Sequence, residues 1–255
     1  MTTFFPIFIL IDIKYIDSLD RNDPQPVGTK DEWLAEFNRP DEELYEGASI
    51  ADAKVGQLVS FGEYEQNADD SDGTEDILCI VTEENGDTLT LMSLYCLDVV
   101  PYSLENTDTT WETSYLREFL NNDFYDSAFS IGEKNMIVDS EVINNDNPVH
   151  GTFGGNNTTD KVYIMSIEEA MEFYSVAEPV EMFYDRIHAQ ATEYAIQKGV
   201  WLEIPDSSRC WWWLRSPGGS ASQAAEIGSA GYCSFNGSFV DSTERALRPV
   251  IKINR

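Results

Sequence analysis

The residues best suited to chemistry in this chain are four cysteines and two histidines, and their spacing forms no familiar reactive motif. No two cysteines make a C-x-x-C pair, so the usual spacing of zinc ligands is missing. His150 and His188 lie in separate segments, and no G-x-S-x-G motif supplies a nucleophile for either. The sequence therefore predicts no catalytic residue, no metal site and no cofactor. The cysteines all stand in apolar or strand-like contexts typical of core side chains, and no disulfide is required: Cys79, Cys96, Cys210 and Cys233.

Two short segments have the composition of ligand loops without the full pattern. Asp69–Gly73 resembles a calcium loop in composition but lacks the twelve-residue pattern and its terminal glutamate. Gly218–Ser220 resembles a phosphate loop, yet the lysine and helix that should follow are missing. The 46 carboxylates are too numerous for the pattern alone to select a catalytic pair. No specific reaction follows from these segments.

Two arginines stand out because the chain has only 16 basic residues against 46 acidic ones. Arg215 and Arg248 each lie at the edge of a predicted strand, beside a Ser-Pro or Pro-Val step. A guanidinium group presents a rigid fork of donors that suits carboxylates and backbone carbonyls. We expect both arginines to be structural, and direct ligand binding is the alternative.

Three consecutive tryptophans, Trp211, Trp212 and Trp213, mark the strand that must hold the rest of the domain. Successive side chains of a strand point to opposite faces, so three large aromatic residues in a row require cover on both faces. We therefore expect a central strand with structural tryptophans. The segment that follows, Gly219–Thr243, consists largely of small polar residues with a few aromatics, which predicts a surface built on that strand.

Local patterns predict helices in the middle of the chain and short strands after Arg209. Asn85-Gly86 predicts a β-hairpin between two apolar runs, with both residues at positive φ in a type I′ turn. Helices followed by a run of strands favour an α+β domain with antiparallel sheet. Helix starts are indicated by Thr113 or Ser114, by Ser130 with Glu133, and by Ser166 with Glu169.

The charge balance restricts the partners. With 16 basic and 46 acidic residues the chain has a net charge of −30 at pH 7. Such a field repels nucleic-acid phosphates and anionic lipid surfaces, so neither is predicted as a partner. The acidity is expected to keep the protein soluble, and attraction to cations or to a basic partner is the alternative.

The first 54 residues are predicted to be an acidic extension, and residues 55–255 to form the main domain. The extension contains a predicted strand, Phe4–Ile11, and a short amphipathic helix, Lys30–Phe37. The apolar run of this strand is too short to span a bilayer and lacks the flanks of a signal peptide. We therefore expect no signal peptide and no membrane insertion, with the cytoplasm as the default compartment and a virion component as the alternative.

Seven segments occur in the order seen in a bacterial family of uncharacterised domains, which is marked by W-L-R-S-P-G and G-V-R-P-A motifs. They are Phe61–Gln66, Trp111–Tyr125, Ala128–Lys134, Thr159–Ala170, Ala191–Gly199, Trp212–Gly218 and Leu247–Ile253. The chain resembles this family over about Val55–Ile253 and departs from it at Ala246-Leu247, where the family has Gly-Val. The family resembles, in its fold, the formylglycine-generating enzymes and the variable proteins of diversity-generating retroelements. The resemblance implies an α+β, C-type-lectin-like mixed domain with short antiparallel strands at the carboxyl end.

The resemblance to variable proteins implies a non-enzymatic module that binds a ligand on its C-terminal surface, with a protein favoured over a glycan. The segment between Gly219 and Thr243 is dominated by Ser, Ala, Gly, Tyr, Cys, Phe, Asn, Asp and Thr, which are encodable by changing the adenines of an Asn codon, as such retroelements do, although turn-rich strands have this composition anyway. About half of the candidate ligand residues are expected to point inward. The candidates are Ser220, Ser222, Tyr232, Ser234, Phe235, Asn236, Ser238 and Asp241.

Two other classes of function stay open. Formylglycine-generating enzymes use a close cysteine pair to hold copper and oxidise a substrate cysteine, whereas Cys210 and Cys233 are far apart in this sequence. A structural or assembly component would use Phe4–Ile11 as a docking strand. The sequence identifies neither the ligand nor the oligomeric state.

Overall fold

The computed structural model describes residues 49–173, 189–202 and 208–255. Of these residues, 36% lie in strands or bridges and 19% in helices. The predicted strand Phe4–Ile11, the predicted helix Lys30–Phe37 and His188 lie outside the described residues.

The first sheet has five strands, and all of its pairings are antiparallel. The last strand of the chain lies inside this sheet, between the third strand and the seventh, so the order is 1-2-3-14-7. The strands are β1 (Leu58–Tyr64), β2 (Glu75–Asn85), β3 (Thr88–Ser93), β7 (Val162–Tyr163) and β14 (Val250–Asn254).

The hairpin predicted from Asn85-Gly86 is formed by β2 and β3, but its turn differs from the prediction. Pairing continues to Asn85 and Thr88, so the two central turn residues are Gly86 and Asp87. Gly86 has a φ of 60°, and Asn85 does not have a positive φ. Positive φ at the first central residue alone is the pattern of a type II′ turn, which also matches the twist of a hairpin. The hairpin is confirmed. The predicted type I′ turn at Asn85-Gly86 is wrong, because the turn lies one residue further along the chain and is of type II′.

The second sheet also has five strands, with the tryptophan strand at its centre. The order is 12-11-10-13-4, with one parallel pairing between strands 10 and 13. Two further pairs of short strands lie outside the large sheets, β5 (Ser140–Val142) with β6 (Thr158–Asp160) and β8 (Ala189–Gln190) with β9 (Arg209–Cys210). The strands of the second sheet are β4 (Asp98–Val99), β10 (Trp212–Pro217), β11 (Gln223–Ile227), β12 (Cys233–Phe239) and β13 (Ala246–Leu247).

Both faces of β10 are covered. Trp212 and Trp213 are fully buried, and successive positions place them on opposite faces. The guanidinium carbon of Arg248 lies 5.2 Å from the centroid of the Trp212 ring. On the other face, Trp213 Nε1 donates a hydrogen bond of 3.1 Å to the carbonyl of Val100. The central position predicted for this strand is confirmed for Trp212 and Trp213, whereas Trp211 precedes the strand and is partly exposed.

The chain passes from the second sheet to the first at Arg248-Pro249, between β13 and β14. Arg248 is buried there, and its Nε donates to the carbonyl of Ser93 at 2.8 Å. Its Nη2 donates to the carbonyl of Leu94 at 3.2 Å. Since the same side chain lies over Trp212, one guanidinium group contacts the end of β3 and the centre of the second sheet.

The helices are short. Among the described residues, the longest helix has 7 residues, and no helix has the length and hydropathy needed to cross a membrane. The predicted capping residues are confirmed: Ser114 accepts from Arg117 N, and Ser130 with Glu133 and Ser166 with Glu169 form reciprocal side-chain-to-backbone bonds. A 3₁₀ turn (Trp111–Thr113) precedes α1 (Tyr115–Phe119), a π segment (Leu120–Phe124), α2 (Tyr125–Ala128), α3 (Ile131–Met136), α4 (Ile167–Phe173) and α5 (Glu193–Gln197).

The predicted C-type-lectin-like α+β fold is wrong, because the described residues form mostly strands in several small, mainly antiparallel sheets. Capping signals mark where helices begin, but tertiary contacts end them after one or two turns. Phe129 is extended (φ −123°, ψ 130°) directly after α2. Ile137 is extended after α3 and pairs with Ile253 of the first sheet. The local pattern therefore overstated the helical content.

Candidate functional site

Three loops meet the second half of β12 and the turn after it at one end of the second sheet. Thr109 N donates to the carbonyl of Ala221 at 2.9 Å, and Ser103 N donates to the carbonyl of Val240 at 2.8 Å. Val240 N in turn donates to the carbonyl of Ser222 at 3.0 Å. These backbone bonds tie a loop after β4 to the turns beside β11 and β12. We call the combined surface the loop face; it comprises residues 103–109, 143–157, 218–222 and 234–243.

The buried side chain of Asn147 attaches the segment 143–157 to β10 and β12. Its Nδ2 donates to the carbonyls of Pro217 and Phe235, each at 2.8 Å. Its Oδ1 accepts from the backbone N–H groups of Val149 and His150, each at 2.9 Å. A single amide therefore holds its own loop in shape and fastens it to β10 and β12.

Asn147→Ala should lower the free energy of unfolding by about 2–3 kcal/mol, because it leaves buried carbonyls and N–H groups without partners. Urea denaturation measures this loss. Asn145→Ala changes an exposed neighbour and should cost less than about 0.5 kcal/mol. Equal losses in the two variants would contradict the assigned role of Asn147.

Close backbone approach explains the glycines of the loop face. A Cβ on Gly237, whose φ is 67°, would lie 1.9 Å from the carbonyl oxygen of Ala224. A Cβ on Gly218 would lie 2.5 Å from the carbonyl oxygen of Asn236. Only glycine allows β11, β12 and the turn after β10 to pack this closely.

Gly237→Ala should destabilise the protein by about 1–3 kcal/mol, since it adds both a steric clash and an unfavourable positive φ. Gly132→Ala is the matched control, because Gly132 lies within α3 and its added Cβ would meet nothing closer than 3.9 Å. The control should stabilise the protein by up to about 1 kcal/mol. Thermal unfolding of the two variants should therefore shift in opposite directions.

The structure places most of the predicted ligand residues at the surface of β11, β12 and their turns. Ser220, Asn236 and Asp241 are exposed, and Ser222, Tyr232, Ser234 and Ser238 are partly exposed. Phe235 differs, because it is only 1% exposed and belongs to the core. Alternation along β12 turns Cys233 and Phe235 inward and Ser234 and Asn236 outward. We therefore leave Phe235 out of the candidate surface.

Arg215 is buried within the protein at the level of β10. Its Nη1 and Nη2 contact both carboxylate oxygens of Glu169, with the Nη2–Oε1 distance at 2.6 Å. Nη1 also donates to the carbonyl of Ile164 at 2.8 Å, and Nη2 to that of Ile143 at 3.1 Å. These contacts fasten α4 and the start of the 143–157 segment to the central strand.

Large apolar side chains stand out on the loop face. Leu104 is 67% exposed, Phe153 65% and Phe239 55%, and Val149 is exposed as well. They come from two loops and from the end of β12, which are distant in the sequence, so sequence patterns did not bring them together. The four segments contain no lysine or arginine, and their acidic residues are all exposed: Glu105, Asp108, Asp146 and Asp241. The loop face is therefore both apolar and acidic.

A buried ion pair adjoins the loop face beneath two tryptophans. The guanidinium carbon of Arg245 lies 5.3 Å from the ring centroid of Trp201 and 5.2 Å from that of Trp211. Arg245 Nε donates to Glu226 Oε2 at 2.5 Å, and its Nη2 donates to Ser238 Oγ at 2.8 Å. Burial raises the pKa of Glu226 above its ordinary value, and the attraction of Arg245 only partly offsets this effect.

Sequence patterns had not selected Glu226, Arg245 or Trp201. The available signal was a single glutamate within an apolar strand, Gln223–Ile227, because such a residue needs a buried partner. Arg245 and Ser238 line a shallow depression of about 420 Å³ together with Phe239, Asp241, Ser242, Thr243 and Glu244. The ion pair thus forms part of the wall of a surface depression.

All four cysteines are buried free thiols. Burial raises the pKa of Cys79 and of Cys233 to about 12, and it raises that of Cys210, which also contacts Cys96. A thiol with a raised pKa is a poor nucleophile. Among residues 49–173, 189–202 and 208–255, no three His, Cys, Asp or Glu side chains are grouped to hold a metal ion.

These features define a mainly β protein with an acidic, apolar surface built from loops. Residues 85–255 match the family described as a domain of unknown function, DUF6273, and the chain belongs to that family. Comparisons with curated proteins and with solved structures gave no match. The expected membership of an uncharacterised family is confirmed at this level, whereas the likeness to lectin-like proteins has no support.

Proposed function

We propose that this protein is a non-enzymatic binding module that presents the loop face to a protein partner with a basic surface. The observation that carries the proposal is the group of exposed apolar side chains, Leu104, Phe153 and Phe239, on a surface without lysine or arginine. Contiguous exposed apolar side chains mark interaction surfaces in soluble proteins. Large aromatic side chains are also the residues that contribute most to protein–protein affinity.

Charge supports a basic partner. The acidic residues of the loop face reinforce the net charge of −30, so a partner with lysine and arginine around an apolar centre would be attracted to this surface. Ser220, Ser222 and Asn236 add adaptable hydrogen-bonding groups around the apolar residues. A protein suits the aliphatic Leu104 and Val149 better than a glycan, which offers few apolar groups to them.

The test is affinity capture from the source cells with the full chain as bait, comparing variants that differ only on exposed apolar residues. Phe153→Ser and Phe239→Ser change the loop face, and Ile131→Ser changes an even more exposed residue on α3, which packs near the first sheet. Ile131→Ser should retain a specific partner. Phe153→Ser and Phe239→Ser should each bind that partner at least 10-fold more weakly, which corresponds to about 1.4 kcal/mol of binding free energy. Equal retention by all three variants would contradict the proposal.

Diversification of residues 219–243 is a finer hypothesis within this proposal. If a retroelement varies this segment, changes should fall on outward residues such as Ser220, Asn236 and Asp241 and spare the buried Phe235 and Glu226. The check is the neighbouring DNA, where a reverse transcriptase gene beside a near-copy of the 3′ coding sequence is expected. Its absence would reject diversification and leave the binding proposal intact.

A further inference from the structure

Two buried hydrogen-bond donors on side chains that pack against each other have no partner in the described structure, and one of these side chains, Arg245, lines the depression next to the loop face. They are Nη1 of Arg245 and Nε1 of Trp211. The Arg245 side chain is only 8% exposed, and its guanidinium carbon lies 5.2 Å from the centroid of the Trp211 ring. Most buried polar groups in folded proteins are paired, so two neighbouring unpaired donors call for an acceptor.

The rest of the guanidinium group is already engaged. Arg245 Nε bonds Glu226, and Nη2 bonds Ser238. Glu244 Oε2 lies 3.9 Å from Nη1, which is too far for a hydrogen bond. The Glu244 side chain is largely exposed and free to move aside, so Nη1 can become accessible from the depression that Arg245 lines.

The surrounding charges select the kind of acceptor. Glu226 already neutralises Arg245, and Asp241 and Glu244 line the same depression, so a second anion would be repelled. A cation would face the guanidinium group and two donors, and it would offer no acceptor. An uncharged acceptor oxygen fits both constraints, and the amide carbonyl is the most abundant such group on a protein surface.

We propose that Arg245 Nη1 and Trp211 Nε1 form an acceptor site that binds an amide carbonyl of the protein partner. The inference rests on the proposed function for its occupant. Phe239 lines the same depression and is exposed, so it would pack against the apolar part of the residue that carries the carbonyl. Trp201 also packs against the guanidinium group, its ring centroid lies 6.4 Å from that of Trp211, and it is half-exposed beside the site.

The test uses the wild-type protein and small-molecule probes, and it follows the tryptophan indole N–H signals by ¹H–¹⁵N NMR. N-methylacetamide should shift the Trp211 signal downfield with saturation, because its carbonyl accepts a hydrogen bond from Nε1. Trp201 adjoins the site and is not used as a reference, whereas the core residues Trp111 and Trp212 should not respond. Trp211→Phe identifies the signal by removing it.

Sodium acetate and methyl glucoside are the comparison probes. Acetate should shift the Trp211 signal much less than N-methylacetamide, because the surrounding carboxylates repel the acetate anion. A response to methyl glucoside alone, or no response to any probe, would overturn the acceptor site. Because the titration needs no partner, its failure is distinct from failure of the proposed function, which the capture experiment detects.

Binding of the captured partner gives a second measure. Trp211→Phe should weaken its affinity about 5- to 10-fold by removing one hydrogen bond to the carbonyl. Leu104→Ser, which lies on the loop face outside the depression, should weaken affinity without changing the Trp211 response to N-methylacetamide. Unchanged partner affinity in Trp211→Phe would overturn the assignment of the partner's carbonyl as occupant.

Discussion

Trp212→Ala should lower the free energy of unfolding by about 3–5 kcal/mol, which is enough to unfold a protein of ordinary stability. Trp212 is fully buried at the centre of the second sheet, where its strand pairs with β11 on one side and β13 on the other. The substitution leaves a cavity and removes the ring beneath the Arg248 guanidinium group, which contacts the end of β3. Both large sheets should therefore lose support.

Far-ultraviolet circular dichroism during urea denaturation measures this effect. Trp201→Ala is the control, because Trp201 is 49% exposed and contacts mainly Arg245 and Trp211. It should cost only about 1 kcal/mol. If Trp212→Ala were as stable as the wild type, the tryptophan strand would not be the centre of the fold.

Arg245→Met should also destabilise the protein by about 3–5 kcal/mol, because it leaves the buried carboxylate of Glu226 without its counter-charge. Glu226→Gln combined with Arg245→Met removes both charges and should recover most of the loss. A double-mutant cycle from chemical denaturation measures the coupling between the two residues. A double variant no more stable than Arg245→Met alone would show that the ion pair is not the source of the loss.

The same pair sets a pH dependence whose sign follows from the pKa of Glu226. This pKa is raised above its ordinary value of 4.5, so the folded state holds the proton more tightly than the unfolded state. The contribution of protonated Glu226 to the free energy of unfolding is fully present below pH 4.5. It is lost as the pH rises through the pKa of Glu226 in the folded state. Arg245→Met removes the attraction that lowers the pKa of Glu226. The difference in the free energy of unfolding between the wild type and this variant should therefore shrink as the pH falls towards 4.5. A deficit that is constant with pH would contradict this account.

The features that could be predicted from sequence were those set by neighbouring residues. Three consecutive tryptophans required cover on both faces, and Ser130 with Glu133 supplied a helix start within four residues. Helix length was not predictable in this way, because the residue that ends α3, Ile137, does so by pairing with Ile253. The fold class failed for the same reason, since local helical signals were counted without the strand pairings that interrupt them.

The candidate site was predicted only in part. Alternation along β12 correctly indicates that some of its residues face inward, but the pattern alone did not show that Phe235 is one of them. Leu104 and Phe153 reach the same surface through backbone bonds and through Asn147, which no local pattern encodes. The Glu226–Arg245 pair joins β11 to the residue before β13, with β12 between them in the chain, so its geometry depends on the whole sheet.

Hydrogen exchange with and without the captured partner tests the central claim most directly. The loop face should gain protection in segments 103–109, 143–157 and 234–243, while α3 and the β2–β3 hairpin should exchange as in the free protein. Protection confined to the first sheet, with the loop face unchanged, would contradict the proposal that this surface binds the partner.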